Sequence, residues 1–292
     1  MKKAARGERL RVKELLARAD AEGFAVPAFN YSDVWDFLAI MEAAAELSAP
    51  IFISSHQAVV ETIGIDICGA IGSAAMKRTK APLIHHLDHC RSVELCKAAA
   101  DNRYPSVMID ASMRPLDENI AAVSDVVAYA HGRDVHVEAE VGRIKGVGYE
   151  GGYAGDDFLA RVDEVQRLVR ETDVDSVAVG VGTAHGFYQG KPEINFDRLA
   201  EINAAVVAPL VLHGGTGIPE ADVRRAIKEG INKVNVGTII HCTYMNTVRA
   251  QLMAGGENQY TIEVMKPVRA AVGEVVKQWI RVCMADGKGW AP

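Results

Sequence analysis

Short apolar runs, rich in β-branched residues and each closed by a turn or polar residue, recur along the chain. They fall at residues 25–30, 50–55, 82–88, 106–112, 134–140, 176–182, 209–215 and 233–238. Most are continuously apolar, not alternating, which is the pattern of strands covered on both faces. Helical patterns lie between them. Residues 33–47 place Val34, Phe37, Leu38, Met41, Ala44 and Ala45 at helical spacing behind a Ser32/Asp33 cap. Similar patterns cover 92–100, 115–130, 162–172, 196–206 and 219–229, with Pro115 and Pro219 suited to a first helical turn. An amphipathic stretch carrying Leu10, Val12, Leu15, Leu16 and Ala19 precedes the first strand, and a long one over 262–284 closes the chain.

Eight βα units in succession, with no Pro/Gly/Ser linker and no shift in composition, predict an α/β fold of the (β/α)8 TIM-barrel type. The expectation is one domain over residues 1–292, with an extra helix at the N-terminus and another at the C-terminus. A doubly wound open sheet is the alternative, but no GxGxxG turn follows the first strand.

Composition narrows the partners. A net charge of −6 argues against a basic nucleic-acid face and against a polybasic membrane anchor, so the expectation is a small-molecule partner with no nucleic acid and no membrane. Five scattered cysteines without a CxxC pair read as free thiols. With charges throughout the first 18 residues and no long apolar run, they lead to an expected cytoplasmic location.

In a parallel barrel the reacting groups sit at the C-terminal ends of the strands. Here those ends carry Asn30, Ser55, Asp88 with His89, Asp110 with Ser112, Glu140, His185 with Gly186, His213 with Gly214 and Gly215, and Asn235 with Thr238. Three histidines on one rim, His89, His185 and His213, have the makings of a catalytic zinc centre with an open position. His56, His85, His86, His131, His136 and His241 read as structural. The glycine-rich His213-Gly-Gly-Thr-Gly217 segment and Asn235-Val-Gly-Thr238 follow strands seven and eight, where barrels commonly take phosphate on backbone N–H groups.

These segments, together with Val26-Pro-Ala-Phe-Asn30, His86-Leu-Asp-His89, Ser106 to Ser112, Val137-Glu-Ala-Glu140 and Gly182-Thr-Ala-His-Gly186, resemble the class II, zinc-dependent ketose-bisphosphate aldolases, most nearly their tagatose-bisphosphate branch. The resemblance runs in order from about residue 10 to the C-terminus. It implies reversible cleavage of a ketose 1-phosphate or 1,6-bisphosphate, of fructose or tagatose type, to dihydroxyacetone phosphate and an aldehyde through a metal-stabilised enediolate. By resemblance, His89, His185 and His213 are the Zn2+ ligands, Glu140 is an alternate ligand, and Asp88 is the acid/base at the aldehyde-derived oxygen. Gly186, Gly214, Gly215 and Thr216, with Asn235, Val236, Gly237 and Thr238, match the dihydroxyacetone phosphate site. Asn30 and Ser55 match further substrate contacts. The resemblance also implies a monovalent cation (Na+ or K+) and a homodimer or homotetramer.

Two departures stand out. In the glycine-rich segment after strand five, Gly148 and Tyr149 occupy the place of the expected acid, leaving neighbouring Glu150 as the candidate for moving the donor-carbon proton. After Thr238 come Ile239 and Ile240 in place of an acid, and His56 and Gln57 follow Ser55. The donor half of the site is thus better kept than the acceptor half. This points to a non-standard aldehyde as the alternative, as in a sulfofructose 1-phosphate or keto-deoxygluconate phosphate aldolase, with Arg91 and Arg281 as candidate anion contacts. An inactive barrel that only binds sugar phosphate is a third reading.

Overall fold

Eight buried strands alternate with helices, as the apolar runs require. In this computed structural model, residues 8–79, 81–143, 158–184, 186, 192–256 and 259–289 are described. In chain order the elements are α1 (Glu8–Glu22), β1 (Val26–Asn30), α2 (Val34–Glu46), β2 (Ile51–His56), α3 (Gln57–Ile63), α4 (Ile65–Arg78), β3 (Leu83–Cys90), α5 (Val93–Asp101), β4 (Ser106–Ile109) and α6 (Leu116–His131). They continue with β5 (His136–Val141), α7 (Val162–Thr172), β6 (Ser176–Val179), α8 (Phe196–Ala205), β7 (Leu210–Leu212), α9 (Glu220–Lys228), β8 (Ile231–Val236), α10 (Thr238–Ala254) and α11 (Thr261–Val282). The strands form a closed parallel barrel in sequence order, with β1 pairing β8 to complete it. The architecture is the predicted (β/α)8 barrel.

Strand residues alternate between two environments. Outward-facing side chains such as Phe29, Ile53, Leu87, Val107 and Val137 join the apolar layer beneath the helices. Inward-facing ones fill the barrel in layers. Met108, Ala178 and Val211 form a small apolar cluster among buried polar side chains such as Ser106, Glu138 and Lys233. α1 packs against β5 and β8. It buries Leu15 and Leu16 completely, contributing about 2 kcal/mol for each. α2 begins where the sequence indicates. Asp33 accepts from the N–H groups of Trp35 and Asp36, and the Asp36 carboxylate returns the bond to Asp33, closing a capping box.

The connection after β2 consists of two helices, α3 and α4, joined at Gly64, whose φ of 101° suits glycine. Like α3 and α4, α10 has no counterpart among the helices read from the sequence. It buries only Ile240, so it lacks the apolar stripe by which helices are recognised.

Candidate functional site

Strand alternation ought to send Asp88 and His89 to opposite faces, yet both point into the barrel mouth. The register of β3 against β4 shifts between Leu87 and Cys90, and His89 takes the left-handed φ of 45°. A bulge at this point turns the His89 imidazole inward beside Asp88. A non-glycine residue in this region costs about 1 kcal/mol or more, a cost that recurs where a side chain must be aimed at a site.

The two residues are then fixed by their neighbours. The Asp88 carboxylate accepts from Asn30 Nδ2 at 2.8 Å and from Asn235 Nδ2 at 3.1 Å, so β1, β3 and β8 meet on one group. Burial would raise its pKa, but His89, His56, His213 and Lys233 surround it with positive potential and hold it well below the usual carboxylate range. His89 Nδ1 lies 3.1 Å from Asp110 Oδ2, while the other Asp110 oxygen accepts from the Ser112 N–H and hydroxyl. Burial disfavours the His89 imidazolium, but Asp88, Asp110 and Glu140 outweigh it and lift its pKa to about 10.

His213, at the end of β7, has its Nε2 3.0 Å from Glu138 Oε1, and its Nδ1 faces His89 Nε2 at 2.7 Å. Glu138 in turn receives the Lys233 ammonium at 2.8 and 3.0 Å, both residues being fully buried. Each of the two imidazoles therefore has a carboxylate on its far nitrogen and turns its near nitrogen toward the other. That is how metal-binding histidines are oriented by a second layer of carboxylates. The remaining donors agree. Ligand atoms of Asp88, His89 and His213 lie within 4.8 Å of one another, as do those of His89, Asp110 and Glu140. Glu140 Oε2 is buried without a hydrogen-bond partner, 3.8 Å from His213 Nδ1. Burial, reinforced by Asp110, pushes the Glu140 pKa well up, so this carboxyl is costly to ionise until a cation joins it. Nitrogen and carboxylate donors of this kind suit a divalent transition ion such as zinc.

Around these groups Asn30, His56, Asp88, His89, Gly214, Gly215, Thr216, Asn235, Gly237 and Thr238 line one recess at the barrel mouth. Gly214 has a φ of 69°, and a Cβ there would lie 2.4 Å from the Ala184 carbonyl oxygen, so only glycine fits this turn. Thr216 Oγ1 accepts from the Ile239 N–H at 3.3 Å, tying the turn after β7 to the first turn of α10. A helix N-terminus beside a glycine turn is suited to an anion.

The structure differs from the sequence reading at several residues. Ser55 does not line the recess: its hydroxyl faces outward and is hydrogen-bonded to Tyr104 Oη at 3.0 Å. The alternation of β2 puts His56 there instead, its ring stacked on His89 with centroids 5.8 Å apart. His56 therefore leaves the structural group in which the sequence placed it, whereas His86 and His136 stay in it, both bonded to Ser106 Oγ inside the barrel. The Val236 side chain belongs to the apolar core, so only its backbone could serve a ligand. Arg281 sits at the opposite end of the barrel, two residues before Cys283, whose carbonyl receives the Ala25 N–H at the start of β1. His185 and Glu150 lie outside the described residues, and Gly186 is placed with a φ of 85°. The sequence marks Asp110 only as a strand-end residue, and it assigns no role to Glu138 or Lys233. Their signal is the two-residue strand period, which sets Glu138 on the face of Glu140 and Lys233 on that of Asn235.

The chain is similar to known aldolases in family and in fold. Residues 10–288 match the family model described as fructose-bisphosphate aldolase class-II. The crystal structure of the YdjI aldolase from Escherichia coli K12 is similar over 96% of this chain and 98% of its own, with 29% identity and a TM-score of 0.85. A fructose-bisphosphate aldolase from Campylobacter jejuni, 18% identical, shares the fold over 97% of this chain and 96% of its own, with a TM-score of 0.79. The chain belongs to the class-II fructose-bisphosphate aldolase family, whose members are typically metal-dependent, and it is an aldolase, a lyase of carbon–carbon bonds.

Proposed function

We propose that the chain is a zinc-dependent aldolase. It would cleave a ketose 1-phosphate or 1,6-bisphosphate, of fructose or tagatose type, to dihydroxyacetone phosphate and an aldehyde, and run the reverse condensation. The observation that carries this reading is the facing pair His89 Nε2 and His213 Nδ1, each backed by a carboxylate and flanked by the partnerless Glu140 oxygen. His89 and His213 would hold the ion, with His185 completing the set by resemblance and Glu140 as the alternate ligand. Zinc held there supplies Lewis-acid polarisation of the substrate ketone and stabilises the enediolate charge.

The chain's own residues do the rest. Asp88 is anionic and held by two amides, so in cleavage it takes the proton from the hydroxyl on the carbon that becomes the aldehyde, and in condensation it returns that proton. The turn of Gly214, Gly215 and Thr216, with the backbone from Asn235 to Thr238, receives the phosphate at the start of α10. Asn30 and Asn235 orient Asp88. Glu150 is proposed to move the donor-carbon proton. The five free thiols suit a cytoplasmic setting. Exposed Met245, Leu252, Met253 and Tyr260 suit a homodimer or homotetramer.

One observation favours a narrower reading: the acceptor side carries His56 and the half-buried Ile239 where the family resemblance leads one to expect a small residue and an acid. An aldehyde other than glyceraldehyde 3-phosphate fits that surface. Release of dihydroxyacetone phosphate from fructose and tagatose bisphosphates, their 1-phosphates and sulfofructose 1-phosphate, followed by a coupled reductase, tests both readings. Turnover of at least one is expected, and the ranking of kcat/KM chooses the aldehyde. Release from none of them overturns the proposal.

A further inference from the structure

In a closed barrel of eight strands, β3 and β4 stand opposite β7 and β8. If the substrate phosphate lies against the turns after β7 and β8, the far end of an extended ketose crosses the mouth, past His89 and His213, toward the ends of β3 and β4. Two arginines stand there. Arg91 comes two residues after His89, and Arg114 two residues after Ser112. Arg114 Nη2 reaches the Arg91 carbonyl oxygen at 3.5 Å, and Gln57 Oε1 accepts from the Arg91 N–H at 2.9 Å, so the start of α3 and the loops after β3 and β4 are tied together.

Among the described residues neither the Arg91 nor the Arg114 guanidinium has a carboxylate partner. Arg114 also lines a recess of about 180 Å3 together with Ser112, Asn119, Gly142 and Arg143. Its one acid, Glu164, already faces Arg161 at 3.8 Å. In a chain of net charge −6, this concentration of positive charge on the catalytic rim is local and runs against the overall balance.

We infer that Arg91 and Arg114 receive an anionic group, a carboxylate or a phosphate, carried by the aldehyde end of the ketose. This rests on the aldolase reading above and names the acceptor chemistry it left open. Guanidinium forks bind such groups through paired, charge-assisted hydrogen bonds, and a neutral chain end offers them nothing comparable.

The test is condensation of dihydroxyacetone phosphate with three aldehydes: neutral glyceraldehyde, glyceraldehyde 3-phosphate, and an aldehyde of similar length ending in a carboxylate. The zinc-loaded wild type is compared with Arg91→Ala, Arg114→Ala, the double variant and Arg114→Lys. For at least one anionic aldehyde the double variant should lose about 10- to 100-fold in kcat/KM, mainly through KM, while the neutral aldehyde changes by less than about 2-fold. Arg114→Lys should recover part of the loss, and the anion that suffers more identifies the natural group. Equal responses of neutral and anionic aldehydes, or no response, overturn the inference. Exchange of the dihydroxyacetone phosphate donor proton with deuterated water, read by NMR, separates the two levels. A wild type that exchanges but shows no arginine-dependent preference defeats this inference alone, whereas a wild type that does not exchange defeats the aldolase reading beneath it.

Discussion

Glu138 and Lys233 form an ion pair at the centre of the barrel, and the structure assigns them two separable effects. The pair is fully buried, at 2.8 and 3.0 Å, and Glu138 also meets His213 Nε2 at 3.0 Å. Removing one partner of such a pair leaves an uncompensated buried charge and costs about 3–5 kcal/mol. At about 2–4 °C per kcal/mol for a chain approaching this size, Glu138→Gln and Lys233→Met should each lower the melting temperature by roughly 6–20 °C. The double variant is neutral, and its glutamine oxygen can still accept from His213, so it should cost less than about 2 kcal/mol. The expected coupling is therefore at least about 4 kcal/mol. Zinc affinity should behave differently. An amide does not raise the basicity of His213 as a carboxylate does, so the stable double variant should still bind zinc about 10- to 100-fold more weakly. Urea denaturation of chelated protein and zinc titration of the same four proteins measure the two effects. Additive losses in stability, or wild-type zinc affinity in the double variant, would refute the assignment.

Two further predictions concern single groups. Asp88→Asn keeps the shape of the group held by Asn30 and Asn235 but removes its ability to take a proton, so kcat should fall by about 100- to 10,000-fold with zinc content unchanged in elemental analysis. Loss of zinc along with activity would mean that Asp88 acts chiefly as a ligand. His85 is fully buried against Tyr104 and bonded to Tyr31, and burial lowers its pKa from 6.5 to about 3. With the folded pKa depressed, its contribution to stability is complete above pH 6.5 and is lost as pH falls toward 3, by up to roughly 5 kcal/mol. Between pH 6.5 and 4 the urea midpoint of His85→Gln should therefore fall less steeply than that of wild type, by about one proton. Parallel pH profiles would show that His85 is not kept neutral by the fold.

The barrel was legible in the sequence because parallel strands buried on both faces leave uninterrupted apolar runs, and because Pro115, Pro219 and Asp33 mark helix starts. The rim was legible for a similar reason: strand ends carry the polar residues that a barrel turns toward its mouth. Finer placement depended on the backbone. Ser55 and His56 are adjacent, and only the alternation of β2 decides which one faces the recess. Asp88 and His89 are adjacent too, and there a bulge overrides the same alternation. Lys233 and Glu138 lie 95 residues apart, and only closure of the barrel brings them together. α10 went unread because a helix with one buried side chain leaves no periodic trace.

The central claim is that one zinc ion, held by His89 and His213 with the groups around them, is required for cleavage. The most direct measurement is stepwise zinc addition to the chelated, dialysed enzyme, with dihydroxyacetone phosphate release followed from its best ketose phosphate. Activity absent without metal and rising linearly to a plateau at one equivalent per chain, with no recovery in His213→Ala, is the predicted result. Full turnover in protein shown to be metal-free would contradict it.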